Sequence, residues 1–352
     1  MKTTTHINAK IGEMRNGTPV RISSKSPNQS IAIFGKCGSG KSTKSRAIIY
    51  DKVENCETII AFDLDGKSYD MTGEHINRIS VLHEGINLRL FNKSGLKKGT
   101  GEYVNFVSQI TGILSGVANF GVRQQGALRV AIEFAIEHGD KFESEMEAIA
   151  EGLKMQESTV AEGVYNKLWG ILCSDIFRKS SKRIELNKIN VFSFEGISVD
   201  LQKVGIELIL GNLWQNMRSQ KISENRITIA IDEFQNLSLK KNSVLMDMLR
   251  EARKYNVSFV LSTQSTNVFS KEVAEAIHQT AVQLYFQPSA REVKKVAELI
   301  APNEQERWTL ILNNLEVGES VAVGTFNIGG KEFVRPLVVR ENVPSNALVS
   351  RK

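Results

Sequence analysis

Residues 35–42 read Gly35-Lys36-Cys37-Gly38-Ser39-Gly40-Lys41-Ser42, which is the spacing G-x-x-x-x-G-K-[ST]. The apolar run SIAIF (30–34) leads into it, and a helical pattern leaves it from about Lys41. Few features restrict a fold more, because the loop needs a buried strand before it and a helix N-terminus after it. Its glycines let successive backbone N–H groups turn inward around phosphate oxygens, and the helix adds its positive end. Lys41 is then placed to reach the β- and γ-phosphates, and the Ser42 hydroxyl to ligate Mg²⁺. Lys36, Cys37, Ser39 and Thr43 complete the expected cradle for ATP. Cys37 is either a small tolerated residue or a thiol open to oxidation.

A second half-site is expected at ITIAIDEF (227–234). Ile227, Ile229, Ala230 and Ile231 make a central strand, and two carboxylates close its C-terminal end, the edge where open α/β sheets bind ligands. Asp232 would hold Mg²⁺ through water, and Glu233 would polarise the attacking water as general base. Taken alone, such a pair also suits a helix cap. An acid at the Glu233 position favours hydrolysis over transfer to a small molecule.

FVLSTQS (259–265) carries another strand into Thr263 and Gln264. Gln264 is either a sensor of the γ-phosphate or a polar strand end. Between these strands, VLMDMLREARKYNVSF (244–259) predicts a helix from about 242 to 255. Val244, Leu245, Met248, Leu249, Ala252 and Tyr255 form its apolar stripe, with Arg250 opposite and Arg253 on the flank. Outward arginines are either solvated or fingers for a neighbouring subunit's nucleotide.

The wider pattern is α/β. ETIIAFD (57–63), RISVL (78–82), INVFSF (189–194) and AVQLYF (281–286) read as further buried strands separated by helices, the pattern of a parallel sheet. Residues 101–186 show helical spacing without a convincing strand, either as an insertion or as an extension of the core. Leu201, Val204, Leu208, Leu213, Trp214 and Met217 mark one face of a further amphipathic helix. ESVAVGTF and EFVRPLVV, split by Gly329-Gly330, predict a closing β-hairpin.

At 352 residues the chain has room for one large α/β domain with an added lobe. Net charge of +6 and a pI near 9.1 lean mildly towards a polyanionic partner. Cys37, Cys56 and Cys173 form neither a disulfide framework nor a zinc site. No apolar run approaches the roughly 18 residues needed to span a bilayer, and no secretory signal is present. A cytoplasmic location is the expectation.

In order and spacing, GxxGxGKST, the strand end DLDG (63–66), the AIDEF strand, REARK (250–254) and the strand end STQ (262–264) resemble the HerA/FtsK superfamily of ring-forming P-loop ATPases. The resemblance is to the HerA branch and the related conjugation and type IV secretion ATPases, and it spans roughly residues 28–300. It implies a RecA-like P-loop core with a mostly parallel sheet over 29–100 and 187–340, a helical insertion at 101–186 and a C-terminal β-hairpin. Lead-in strands would occupy 1–28 and a tail 341–352.

The resemblance also implies phosphate and magnesium binding by Lys41, Ser42 and Thr43. Asp232 and Glu233 become the metal-associated and catalytic acids, Gln264 the polar residue after the core strand, and Arg250 or Arg253 the trans-acting arginine. A homo-oligomer, by family a hexamer, follows, with DNA as the expected polymer. RKSSKR (178–183) and Lys240-Lys241 are the basic candidates for gripping its phosphates.

Departures narrow the expectation. Only about 28 residues precede the sheet, without the N-terminal β-barrel of HerA helicases. Membrane spans and a winged helix, as in FtsK-like translocases, are not visible, and Lys67 stands where an acid often follows the DLDG glycine. A minimal motor served by a targeting or channel partner is expected, peripheral to a membrane complex if of the secretion type. A nucleotide-gated scaffold in a defence or packaging complex is the remaining alternative.

Overall fold

The computed structural model describes residues 8–26, 28–86, 97–178, 182–219, 226–240, 243–264 and 269–341. The expected tail beyond Glu341, three positions of the basic run 178–183 (179–181) and Lys241 lie outside the described residues.

The chain opens with β1 (Lys10–Glu13) and β2 (Pro19–Ile22), then β3 (Ile31–Phe34) and helix α1 (Lys41–Glu54). β4 (Thr58–Asp63), β5 (Ile76–Ser80) and the one-turn helix α2 (Val81–Glu84) follow. Four helices come next: α3 (Gly101–Ala118), α4 (Val122–His138), α5 (Glu145–Lys154) and α6 (Thr159–Leu172). Strands then alternate with helices through β6 (Ile189–Ser193), α7 (Val199–Ser219), β7 (Ile227–Ile231), α8 (Val244–Glu251) and β8 (Val257–Thr263). The alternation continues with α9 (Lys271–His278), β9 (Val282–Tyr285), α10 (Val293–Ile300) and α11 (Gln305–Asn313). β10 (Glu319–Gly324), β11 (Phe326–Ile328), β12 (Lys331–Phe333) and β13 (Leu337–Arg340) end the described chain.

All these strands join one sheet, in the order β12-β11-β2-β1-β13-β10-β9-β3-β8-β7-β4-β6-β5. From β9 to β5 every described pairing is parallel. From β9 outward through β10 the pairings are antiparallel. The central strands read as unbroken apolar runs because both faces are covered. Side chains alternate between the faces with period two. Phe34, Phe62, Ile229 and Ile231 enter the core beneath α3, α7, α8 and α10. Ile31, Ile33, Ile59, Ala61 and Ala230 enter the core shared with α1 and the N-terminal strands. Each fully buried aliphatic or aromatic side chain contributes about 1.5–3 kcal/mol.

Three local expectations shift. RISVL does not run as one strand: β5 ends at Ser80 and Val81 opens α2, whose Glu84 carboxylate accepts the Ser80 N–H at 2.8 Å. The helix expected over 242–255 is split into α8, ending at Glu251, and a 3-10 turn over Ala252–Tyr255. The turn packs Tyr255 edge-on against Trp214, with ring centroids 5.1 Å apart.

The closing hairpin exists but divides at Thr325. β10 pairs with β13, while β11 pairs with β12 across Gly329-Gly330 and with β2 on its other side. The N-terminal strands thus sit between two parts of the C-terminal hairpin.

Candidate functional site

β3, β4, β7 and β8 end at the same edge of the sheet, and the chemistry-bearing residues leave from those ends. A cleft of about 660 Å³ opens there, with Gly38, Lys41, Ser42, Asp232, Glu233 and Gln264 among its lining residues. Cys37, Gly40 and Thr43 also face it. Gly35 and Ser39 support the loop from behind. Gly35 has φ +155° and a Cβ there would lie 2.5 Å from Phe286 Cβ. Gly40, at φ +107°, caps α1 with its backbone, 3.1 Å from Gly318 N on the same measure. Glycine alone fits both positions.

The loop is pinned from outside, so the inner N–H groups stay turned to the cleft. Lys36 N–H donates to Gln287 O at 3.0 Å, and Gly318 N–H to Ser39 O at 3.1 Å. Ser39 Oγ donates to Lys36 O at 2.8 Å. Lys41 is buried and its Nζ reaches back to Lys36 O at 3.1 Å, spanning the mouth of the loop. Thr43 Oγ1 accepts from Arg46 Nη2 at 3.2 Å. The first-turn N–H groups of α1 are the orphan donors that suit an anion.

Ser42 and Asp232 meet directly, Ser42 Oγ donating to Asp232 Oδ2 at 3.0 Å. The other Asp232 oxygen accepts from Ser262 Oγ and, at 3.1 Å, from the Glu233 N–H. A hydroxyl and a carboxylate at one point are hard oxygen donors in small number, which suits Mg²⁺ carried on phosphates. The donor set and the glycine cradle therefore fit a magnesium nucleotide.

Glu233 adopts the left-handed conformation, φ 50° and ψ 45°. Such a backbone costs a non-glycine residue about 1–2 kcal/mol and occurs preferentially at working sites. Gln264 Nε2 donates to its Oε1 at 2.6 Å, and Gln235 Nε2 to its Oε2 at 2.5 Å.

Asp63, at the end of β4, is fully buried. Burial first, then a hydrogen bond shared with Asp65, pushes its carboxyl up to about 6, against the pull of Arg78 at 3.5 Å. Asp65 lines the cleft and accepts the N–H groups of Lys67 and Ser68 at 3.0 and 2.9 Å. Those bonds outweigh burial and hold its carboxyl below the ordinary range.

Arg250 and Arg253 are not in this cleft. They line a separate pocket of about 460 Å³ with Val257 and Phe259, at the start of β8. Gln264 follows the far end of the same strand. A strand of this length separates its ends by about 20 Å. The arginines therefore lie at the opposite sheet edge from their own chain's phosphate loop. Lys240 is exposed beyond β7, and Lys182 of the other basic run pairs with Glu84 at 3.7 Å.

Sequence reasoning missed Ser262, Gln235, Arg46 and the two aspartates of DLDG as groups that touch or support the site. The signal for Ser262 was its place two residues before Gln264, on the same side of the strand. For Gln235 the sequence offered only proximity to the acid pair.

The family model described as "Helicase HerA, central domain" matches residues 9–213. Among curated proteins no sequence match was found. VirB4 of Thermoanaerobacter pseudethanolicus superposes with a TM-score of 0.74 at 16% identity, covering 96% of this chain and 97% of that one. The bacterial conjugative coupling protein TrwBdeltaN70 gives 0.67 at 12% identity, over 95% and 89%. TrwB in complex with ADP and Mg²⁺ gives 0.68 at 14%, over 99% and 92%. Among the described residues no helix is long and apolar enough to cross a membrane. With the family model matching more than half of its length on top of this phosphate-binding architecture, the protein belongs to the HerA central-domain family of P-loop ATPases.

Proposed function

We propose that this chain is a ring-forming motor that couples Mg-ATP hydrolysis to the movement of DNA. The observation that carries the reading is the division of labour across the sheet. Lys41, Ser42, Asp232, Glu233 and Gln264 gather at one edge, while Arg250 and Arg253 stand at the other. In a ring, that second edge faces the neighbouring copy's nucleotide.

Within the cleft, the loop N–H groups and Lys41 bind and orient the phosphates. Ser42 and Asp232 would hold magnesium, which would supply neutralisation of phosphate charge. Glu233 accepts the proton of the attacking water, and Gln264 bridges to the γ-phosphate. An arginine from the adjacent copy then stabilises the charge of the transition state, worth about 10³–10⁵ in rate. Phosphate-directed contacts by residues such as Lys240 would grip DNA without reading its sequence.

A second reading has support from the whole-chain likeness to a conjugative coupling protein. In it the ATPase docks on a membrane channel and energises macromolecular transfer. A nucleotide-gated scaffold with idle chemistry is the least favoured reading, because Lys41, Asp232 and Glu233 are all present and line one cleft.

The deciding measurement is ATPase rate per subunit against protein concentration, with and without DNA at low salt. The motor reading expects a steep rise on assembly and a further rise with DNA. A flat rate per subunit removes the ring, and absent DNA stimulation removes DNA as the polymer. Stimulation by co-purifying membrane proteins instead selects the transfer reading.

A further inference from the structure

Both oxygens of the Glu233 carboxylate are engaged, one by each of two glutamine amides. A general base accepts its proton on an oxygen within about 2.6–3.2 Å of the water. Each oxygen keeps a further lone pair for a water, but the two amides together fix where the carboxylate points, so if one turns to a phosphate the other alone aims the base.

The two glutamines differ in freedom. Gln264 is exposed and lines the phosphate cleft. Gln235 is half-buried on the 3-10 turn Phe234–Asn236 that follows β7. That turn is anchored by Phe234, which is fully buried and stacks on Phe269 with ring centroids 5.1 Å apart. The carbonyl oxygen of Gln235 is buried without a hydrogen-bond partner among the described residues. A glutamine placed for stability would turn that oxygen to a donor or to water. Here a half-turn of the amide would set its oxygen against the carboxylate, so the charge of Glu233 dictates the orientation and leaves the carbonyl unpaired.

We propose that Gln235 is the positioning residue for the hydrolytic base: it keeps one oxygen of Glu233 in place while Gln264 leaves the other for an incoming γ-phosphate. Before a triphosphate arrives, both amides hold the carboxylate. Afterwards one oxygen is free and already aimed. A diphosphate has no γ-phosphate to draw Gln264 away, so both amides stay on the base after product forms. The inference rests on Glu233 being the base.

The test is steady-state ATPase activity, ADP affinity and a pH–rate profile for the full chain and for E233Q, Q235A, Q235E, Q264A and Q235A/Q264A. Q235A is expected to lower kcat by about 10²-fold, the scale of an ångström-level misplacement, with KM and ADP affinity within about twofold. Q235E sets a second carboxylate against Glu233, so its rate should recover as pH falls and the pair takes up a shared proton. Q264A should retain the turnover that Gln235 alone supports, and the double variant should fall to the level of E233Q.

Wild-type kcat in Q235A with E233Q inactive overturns the proposal and leaves the base assignment standing. So does a double variant no slower than Q264A, or equal loss of kcat and ADP affinity in Q235A and Q235E at every pH. Full activity in E233Q overturns the base assignment itself, and the role of Gln235 with it.

Discussion

Ser42 and Asp232, 190 positions apart in the chain, are joined by a hydrogen bond of 3.0 Å between Oγ and Oδ2. The bond fuses the phosphate loop to the acid that closes β7, and it is the point at which we propose that the divalent cation binds. Asp232→Ala should erase the Mg²⁺ dependence of ADP affinity and lower hydrolysis by about 10²-fold or more. ADP titrations with and without MgCl₂ check this. A variant that still gains as much from Mg²⁺ as the parent protein would sink the assignment.

The arginines make a prediction that no single-subunit site shares. One of Arg250→Ala and Arg253→Ala should lose about 10³-fold or more in rate, while the other stays within a few-fold. The inactive variant mixed with Lys41→Ala should regain activity, because an intact loop on one copy meets an intact arginine on the next. Mixtures no more active than either parent count against an arginine supplied in trans.

Asp63 sets a pH dependence of stability. Its ordinary value is 3.8 and the fold raises it to about 6. Between those limits the folded chain holds more protons than the unfolded one, so stability falls as pH rises through that window and stays lower above it. The full effect is about 3 kcal/mol. Asp63→Asn should remove it, so the variant gains on the parent chain from pH 4 to pH 7. Paired thermal melts at pH 4.5 and 7.5 test this, and a difference unchanged between them refutes it.

Lys44 lies fully buried in α1, where its Nζ donates to Ile11 O at 2.9 Å and pairs with the Glu341 carboxylate. Burial pulls its ammonium below the ordinary value, and Glu341 works against that. Lys44→Ala removes the partner of the partly buried Glu341 carboxylate and a donor to the Ile11 carbonyl, and should cost about 3 kcal/mol. Lys44→Met/Glu341→Gln should recover much of it. The denaturation midpoint at constant m-value is the readout, and a Lys44→Ala midpoint equal to the parent's contradicts the pairing.

Much of the site was legible before the fold was known, for a local reason. The glycines of 35–40, Lys41 and Ser42 are close neighbours on one turn, and the Asp232-Glu233 pair terminates an apolar strand. Such short-range patterns need no knowledge of distant chain. The parallel core was equally readable, since a strand buried on both faces must be apolar throughout.

Gln235 and Ser262 escaped notice because their meaning depends on what lies across the sheet. The same holds for β1 and β2, which read as a short lead-in yet slot between β13 and β11. The sequence by itself determined the phosphate loop, the acid pair and the alternation of strands with helices, because each is written within a few residues. Only the tertiary structure decided that Asp232 meets Ser42, that Glu233 is held by two amides, and that Arg250 and Arg253 face away from their own nucleotide cleft. Those relations follow from strand order, and strand order is chosen by the packing of the whole chain.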